Sequence, residues 1–319
     1  NFITKIKNDL IANEEPLKKD MAVAARKALR YLIGENNNER EALVQWTNNF
    51  LKDSQPKYSA DLYNEGTMRA TNIPVVKPLY AEKTEEVDGR IILRDNFEKL
   101  FENYPNALVF GEDTGAIGDV NQGLEGLQSK FGKLRIADTG IRETTIIGQG
   151  TGMALRGLRP IAEIQYLDYI FYALATLTDD VACLRYRTFG KQKVPLIVRT
   201  RGHRLEGIWH SGSPMGALIH SLRGMYILSP RNMTQAAGFY NTLMKSDEPA
   251  IIIESLNGYR LKERKPENLG EFCTPIGVVE TVKSGTDITL VSYGSTLRIV
   301  EQAAQELKEV GIDAEVIDA

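Results

Sequence analysis

Apolar positions in this chain follow two different patterns. Up to about Leu51 they recur three and four residues apart, through Met21, Ala24, Ala25, Ala28, Leu29 and Leu32 and again through Ala42, Leu43, Trp46 and Phe50. That is the spacing of amphipathic helices. Gly34 and the run Asn36–Asn38 divide the stretch into two helices. From Asp53 to about Asp88 the period is lost, and Pro56, Pro74 and Pro78 are scattered among polar residues. This predicts an irregular connector, longer than ordinary loops and suited to a functional or inter-domain role.

From Ile91 the pattern becomes regular. A helix over Ile91–Asn103 precedes the apolar runs ALVFGED, RIADTGI, RPIAEIQY, VPLIVRT, MYILSP and PAIIIES, with helix-period segments among them. Apolar strands alternating with helices predict an α/β fold, a parallel sheet with helices on both faces. After about Lys265 a charged, proline-containing link (ERKPENLGE) leads to DITLVSYG, TLRIVEQAAQELKEVG and DAEVIDA, one βαβ unit. A single βαβ is too small to hold a core, so it predicts the opening of a second α/β domain. The expected division is 1–88, helices and connector; 89–265, the parallel sheet; and 266–319, the incomplete second domain. A first residue Asn1 without a methionine and an end at EVIDA predict a piece of a larger polypeptide.

Composition narrows the function classes. The 319 residues are 42% hydrophobic and 25% charged, ordinary for a globular protein. A net charge of -3 supplies no global positive field for nucleic acid or an anionic membrane. The 2 cysteines, Cys183 and Cys273, lie far apart in apolar surroundings, a reduced usage that predicts the cytoplasm. No apolar run is long enough to span a bilayer.

The richest candidate chemistry lies between Arg135 and Phe171. Glu143 stands at the start of a helix directly after an extended segment, and the next extended segment delivers Tyr166, Tyr169 and Phe171. An acid and aromatics at the ends of parallel strands can build a pocket for a flat heterocycle. From position alone, a first-turn glutamate that caps its helix comes first as an explanation. The alternating Gly148, Gly150 and Gly152 are not a dinucleotide fingerprint; small residues that let a helix press on a neighbour explain them better. Of the three histidines, His210 lies in a Gly/Ser/Pro-rich loop (GIWHSGSP), His220 is deeper in a helix, and His203 sits among Arg199, Arg201 and Arg204. A solvated basic loop is the default expectation there, and arginine recognition of a carboxylate or phosphate the alternative. No nucleophile elbow and no zinc-ligand spacing occur.

At these residues the chain resembles the β-type half of thiamine-diphosphate-dependent 2-oxo acid dehydrogenases. The resemblance runs from about Ile91 to the C-terminus. It rests on segments in family order: Phe110–Gly115, Gly126–Gly132, DTGIRE ending at Glu143, Arg159–Phe171, Arg185–Arg187, Trp209–Pro214 and Ser229–Asn232. The RPIAEIQ–DYIF block and the RYR segment are closer to the branched-chain type. The helices before Leu51 resemble the tail of the α-type half, which implies α and β halves fused in one polypeptide.

The resemblance implies a thiamine-diphosphate-binding fold, with residues 89–265 as its pyrimidine domain and 266–319 as the start of a transketolase C-terminal-like domain. It implies that Glu143 hydrogen-bonds the aminopyrimidine ring nitrogen and that Tyr169 packs against the pyrimidine. It places Glu112 near the cofactor channel and makes His210 the histidine that supports proton transfer during reductive acylation of a lipoyl group. The implied reaction is oxidative decarboxylation of a 2-oxo acid, of 2-oxoisovalerate type. Pyruvate or acetoin, or a silent subunit for complex assembly, are the alternatives. Where many relatives have proline and aspartate after DYIF, this chain has Tyr172 and Ala175; where they read HSQS and then glutamate, it has Gly212 and Met215.

The GDG…N motif that holds diphosphate and Mg2+ in the family does not occur here. The resemblance therefore implies that thiamine diphosphate meets this chain by its pyrimidine end, with Mg2+ supplied by the α-type half. That leaves the chain inactive alone, with a K+ held largely by backbone carbonyls as a further occupant. The implied partners are that α-type half and a lipoyl acyltransferase core, in a homodimer of the fused chain or an α2β2-like assembly.

Overall fold

Three helices, α1 (Phe2–Ile11), α2 (Lys18–Tyr31) and α3 (Asn38–Ser59), open the chain where the apolar period predicts two. The extra break is made by side chains: the Asp20 carboxylate accepts the Leu17 amide at 2.9 Å, and Asn13 accepts that of Glu15 at 3.1 Å. Asn37 caps α3 by accepting the Arg40 amide at 2.9 Å. Helix α3 then continues beyond Leu51 and through Pro56, whose missing N–H removes one helical bond without ending the helix. Phe2 stacks on Tyr31 within this unit, and Trp46 on Phe50. The structure is a computed structural model that describes residues 2–203, 207, 208, 210 and 212–319. It divides into the units Asn1–Ala60 and Asp61–Ala319.

The second unit runs β1 (Glu86–Asp88), α4 (Gly89–Asn103), β2 (Ala107–Gly111), α5 (Leu127–Phe131), β3 (Ile136–Asp138), α6 (Glu143–Leu155) and β4 (Arg159–Glu163). It continues with α7 (Leu174–Thr176), α8 (Leu184–Arg187), β5 (Ile197–Gly202), α9 (Met215–Ser221), β6 (Tyr226–Leu228), α10 (Met233–Met244) and β7 (Ala250–Ser255). It ends with β8 (Lys262–Arg264), β9 (Glu280–Lys283), β10 (Ile288–Ser292), α11 (Leu297–Glu309) and β11 (Ala314–Asp318). Strands β2 to β7 form one six-stranded sheet in the order β3-β2-β4-β5-β7-β6, every pair parallel. From β2 the chain passes to β3 on one side and then to β4 on the other, so the strand order reverses between β2 and β4.

Alternation along the strands separates two cores. Val109, Ile161, Ile197 and Ile252 pack on one face with Phe97 of α4 and Tyr240 of α10. Leu108, Phe110, Ala162, Val198, Ile251 and Ile253 pack on the other with Ile147 of α6. Both faces are covered, as a parallel sheet requires. The bland explanation of the glycine series in α6 holds at Gly150: a Cβ there would meet Leu196 Cδ1 at 2.7 Å, so glycine lets the helix press onto the sheet.

Three details depart from the expected pattern. The segment after DYIF is a broken helix, with 3-10 turns over Leu167–Ala173 and a π-helical stretch over Leu177–Ala182 between the short α7 and α8. Residues 61–88 have irregular backbone but are bound to the body: the Glu248 carboxylate accepts the amides of Asn64 and Ala70, Val76 bridges Cys273, and β1 pairs with β8. The third departure concerns the arginines. Arg199 and Arg201 do not lie on a solvated loop; they are fully buried in β5. Arg204 lies outside the described residues.

Arg199 donates to both Glu254 oxygens, at 2.9 and 3.0 Å, to Asp119 at 2.7 Å, and to Glu163. Arg201 donates to Glu163 at 2.7 Å, to the Tyr259 hydroxyl at 3.0 Å and to the Gln165 carbonyl at 3.0 Å. Tyr240 and Tyr259 donate to Glu254. Burial pushes the Glu163 carboxyl up against the two guanidinium charges, and those same charges hold Asp119 below the usual range despite its burial.

After β8, strands β9, β10 and β11 make a small sheet in the order β10-β11-β9. Strands β10 and β11 pair in parallel across α11, the βαβ read from the sequence. Leu297, Ala304, Ala314 and Val316 are its core.

Replacing Arg199 by Met leaves buried carboxylates without their main counter-charge. Breaking such a network costs roughly 3–5 kcal/mol, so Arg199→Met should lower the free energy of unfolding by that much, read as a fall in the urea midpoint. An unchanged midpoint would show that the network adds nothing to stability.

Candidate functional site

The candidate residues come from loops at the C-terminal ends of four neighbouring strands. Glu112 follows β2, Glu143 opens α6 after β3, Tyr166 and Tyr169 follow β4, and His210 follows β5. In an open parallel sheet this edge, next to the reversal of strand order, is where ligands bind.

Each loop is set by its own contacts. The Asp138 carboxylate at the end of β3 accepts the amides of Gly115 and Ala116, at 2.6 and 3.0 Å. This holds the loop that begins with Glu112. Asp119, farther along it, accepts the amides of Asn121 and Gly123 while its carboxylate meets Arg199. Gln165 bridges to Asp113 at 3.1 Å and gives its carbonyl to Arg201, which fixes the backbone just before Tyr166. Thr144, in the first turn of α6, donates to the Tyr172 carbonyl and joins that helix to the tyrosine segment.

Electrostatics bring the two acids together. Burial pushes the Glu112 carboxyl above its ordinary range, and the neighbouring charges of Asp113 and Glu143 push it further. Glu143 is half-buried and is the first residue of α6. No side-chain cap fixes the start of that helix, and Glu143 is its first residue rather than the preceding cap position.

The aromatic residues surround His210. The Tyr169 hydroxyl lies 2.8 Å from His210 Nε2. The Tyr166 ring stacks on the imidazole with centroids 3.7 Å apart and planes 9° apart, and the Tyr169 ring meets it edge-on at 5.6 Å. Desolvation raises the Tyr169 phenol, and the charges of Asp168 and Glu112 add to this. Charge thus links Glu143 to Glu112 and Glu112 to Tyr169, and a hydrogen bond links Tyr169 to His210. Phe171 is exposed, and so is the side chain of Tyr172.

Two readings of the sequence change here. His203 was expected among solvated arginines, but it is buried, and burial lowers its imidazole below the ordinary value. Tyr166 was read only as part of an aromatic run, yet it makes the closest ring contact with His210. The signal was present in its position, directly after the strand RPIAEIQ, where a side chain is carried to the sheet edge. His220 is exposed on α9. Among the described residues, no group of three or more His, Cys, Asp or Glu could hold a metal ion. No described helix is long and apolar enough to cross a membrane.

The family described as "Transketolase, pyrimidine binding domain" matches residues 85–262, and "Transketolase, C-terminal domain" matches residues 277–319. The pyruvate dehydrogenase E1 component subunit beta of Acholeplasma laidlawii is 35% identical over 223 residues, 69% of this chain and 68% of that protein. The 2-oxoisovalerate dehydrogenase subunit beta of Bacillus subtilis is 33% identical over 212 residues, 66% of this chain and 64% of that protein. A split-gene transketolase in an inactive β4 tetramer shares the fold, with a TM-score of 0.58 at 19% identity over 73% of this chain and 70% of that one. The chain belongs to the transketolase pyrimidine-binding-domain family, within it to the β-type halves of thiamine-diphosphate-dependent 2-oxo acid dehydrogenases.

If Glu143 contributes to the raised carboxyl of Glu112, Glu143→Gln should move the Glu112 titration down, still above normal because burial and Asp113 remain. Carboxyl-carbon NMR of glutamate-labelled protein reads this directly. An unmoved Glu112 would mean that the two acids do not interact.

Proposed function

We propose that this chain supplies the aminopyrimidine side of a thiamine-diphosphate site in a 2-oxo acid dehydrogenase. On this reading it decarboxylates a substrate of 2-oxoisovalerate type and passes the acyl group to a lipoyl group of an acyltransferase core. The supporting observation is the convergence of Glu143, Glu112, Tyr169 and His210 on one edge of the sheet. Its donor set fits the pyrimidine end of the cofactor: a carboxylate for a ring nitrogen, and aromatic faces for a flat ring. When bound, thiamine diphosphate supplies the carbon that attacks the keto group and holds the carbanion after CO2 is lost.

The residues of this chain have distinct tasks. Glu143 holds a proton at the pyrimidine ring nitrogen, the general acid–base role that a carboxyl between burial and a helix dipole can perform. Glu112, its carboxyl raised by burial and by the charges of Asp113 and Glu143, lines the same edge. Tyr169 would pack against the heterocycle and orients His210 through the 2.8 Å hydrogen bond, while Tyr166 fixes the plane of the imidazole. His210 then moves a proton during acyl transfer to the lipoyl group.

Pyruvate is the second substrate reading. Relatives named for pyruvate and for 2-oxoisovalerate stand at 35% and 33% identity, too close to separate the two. The diphosphate, with its Mg2+, falls to an α-type half, and we assign helices α1–α3 to the tail of that half. The free thiols of Cys183 and Cys273 support a reducing compartment, the cytoplasm.

In the complete protein, Glu143→Gln should lower CO2 release by roughly 10²–10⁴-fold or more, and near-normal release would refute the assignment. For His210→Ala, lipoyl acylation should fall further than CO2 release; equal loss in both steps would remove the role given to it. Across pyruvate, 2-oxoisovalerate and 2-oxoglutarate, kcat/KM should be highest for 2-oxoisovalerate. A maximum at pyruvate would replace that substrate and leave the site unchanged.

A further inference from the structure

The loop that carries His210 begins and ends on the same small set of contacts. At its start, His203 closes β5 with φ of +50°, left-handed backbone that a non-glycine residue seldom adopts, yet its side chain is buried. Its amide donates to the Gly212 carbonyl at 3.1 Å, and its Nδ1 lies 2.9 Å from the Ser213 hydroxyl. The two ends of the loop are therefore joined through one residue. From the other side, the Asp168 carboxylate accepts the Gly212 amide at 3.3 Å, and Asp168 is the immediate neighbour of Tyr169.

His203 is itself gripped by the turn that follows β10. Its ring stacks on Tyr293 with centroids 4.8 Å apart and planes 14° apart, and its Nε2 lies 3.4 Å from the Tyr293 carbonyl. Ser295 donates its hydroxyl to the His203 carbonyl. Between them Gly294 has φ of +55°, and a Cβ there would stand 2.7 Å from His203 Cδ2 and 2.6 Å from Ser229 Oγ. The turn approaches as closely as glycine permits. The Tyr293 carbonyl can only accept, so Nε2 carries the proton and Nδ1 accepts from Ser213. That tautomer is neutral, in keeping with the burial that lowers this imidazole.

We propose that His203 is a positioning residue for His210: a buried imidazole, locked by the Tyr293–Ser295 turn, that ties both ends of the histidine loop and so sets the imidazole of His210 against Tyr166 and Tyr169. The geometric claim stands on these contacts alone. Its consequence for acyl transfer rests on the reading of His210 given above. The arrangement joins the matched C-terminal segment, residues 277–319, to the sheet-edge site through a contact outside the reacting groups.

The chain has 3 histidines, so imidazole NMR of histidine-labelled full-length protein can follow each one. In His203→Gln and in the milder Ser213→Ala, the His210 titration curve should move away from its wild-type position. Amide exchange at Gly212 should rise about tenfold as the loop end loses the Ser213–His203 hydrogen bond that holds it. His203→Asn, which tolerates left-handed backbone and keeps an acceptor near the Nδ1 position, should restore part of both signals. Lipoyl acylation by Ser213→Ala should drop about 10- to 100-fold in kcat with little change in KM for the 2-oxo acid, as expected of a misplaced group. Unchanged His210 titration and Gly212 exchange in folded Ser213→Ala and His203→Gln would overturn the proposal. Moved NMR signals in a protein without 2-oxo acid dehydrogenase activity would uphold the positioning claim while rejecting the functional reading beneath it.

Discussion

The buried arginine–carboxylate network under the sheet edge is the constraint on which the rest of the second unit depends. Arg199 and Arg201 on β5 engage Glu163 at the end of β4, Glu254 on β7 and Asp119 in the loop after β2. Taking so many charges out of water is expensive, and the attraction among them returns that cost only when every donor and acceptor is placed. What the arrangement secures is uniqueness. A shift of β4 against β5 by one residue would remove Glu163 from Arg199, its cross-strand partner. The backbone at Gln165 and the loop at Asp119 are fixed by the same cations, so the segments bearing Tyr166 and Glu112 inherit their positions from the network.

Above that base the site is an acid pair beside an aromatic-bound imidazole. Glu143 opens a helix, while the Glu112 carboxyl is raised by burial and by two acidic neighbours. The imidazole is held by ring contact and by one phenol. No single element carries the site. It exists because four parallel strands end side by side, and the unusually polar floor keeps those ends in register.

Much of this was legible in the sequence. The alternation of apolar runs with helix-period segments gave the parallel sheet, since strands buried on both faces must read as continuous apolar runs. Glu143 at the strand-to-helix junction was visible for the same reason, although capping was the first explanation for it until the flanking motifs were considered. The arginines were misread because local sequence cannot show pairing across strands: VPLIVRTRGHR looks like a strand running into a basic loop, and the partners Glu163, Glu254 and Asp119 are 36 to 80 residues away. His203 was misread for the same reason, its partner Tyr293 lying 90 residues on. The break between α1 and α2 depends on side-chain acceptance by Asn13 and Asp20, which apolar periodicity does not register.

The central claim is that Glu143 and Tyr169 receive the pyrimidine end of thiamine diphosphate. A crystal structure of the assembled protein, with its diphosphate-binding half and thiamine diphosphate present, tests it most directly. The account predicts a Glu143 carboxylate oxygen within hydrogen-bond distance of the pyrimidine ring nitrogen, with the heterocycle against Tyr169 and His210 on the thiazolium side. A pyrimidine ring seated elsewhere, with Glu143 turned to solvent or serving only its own helix, would contradict it.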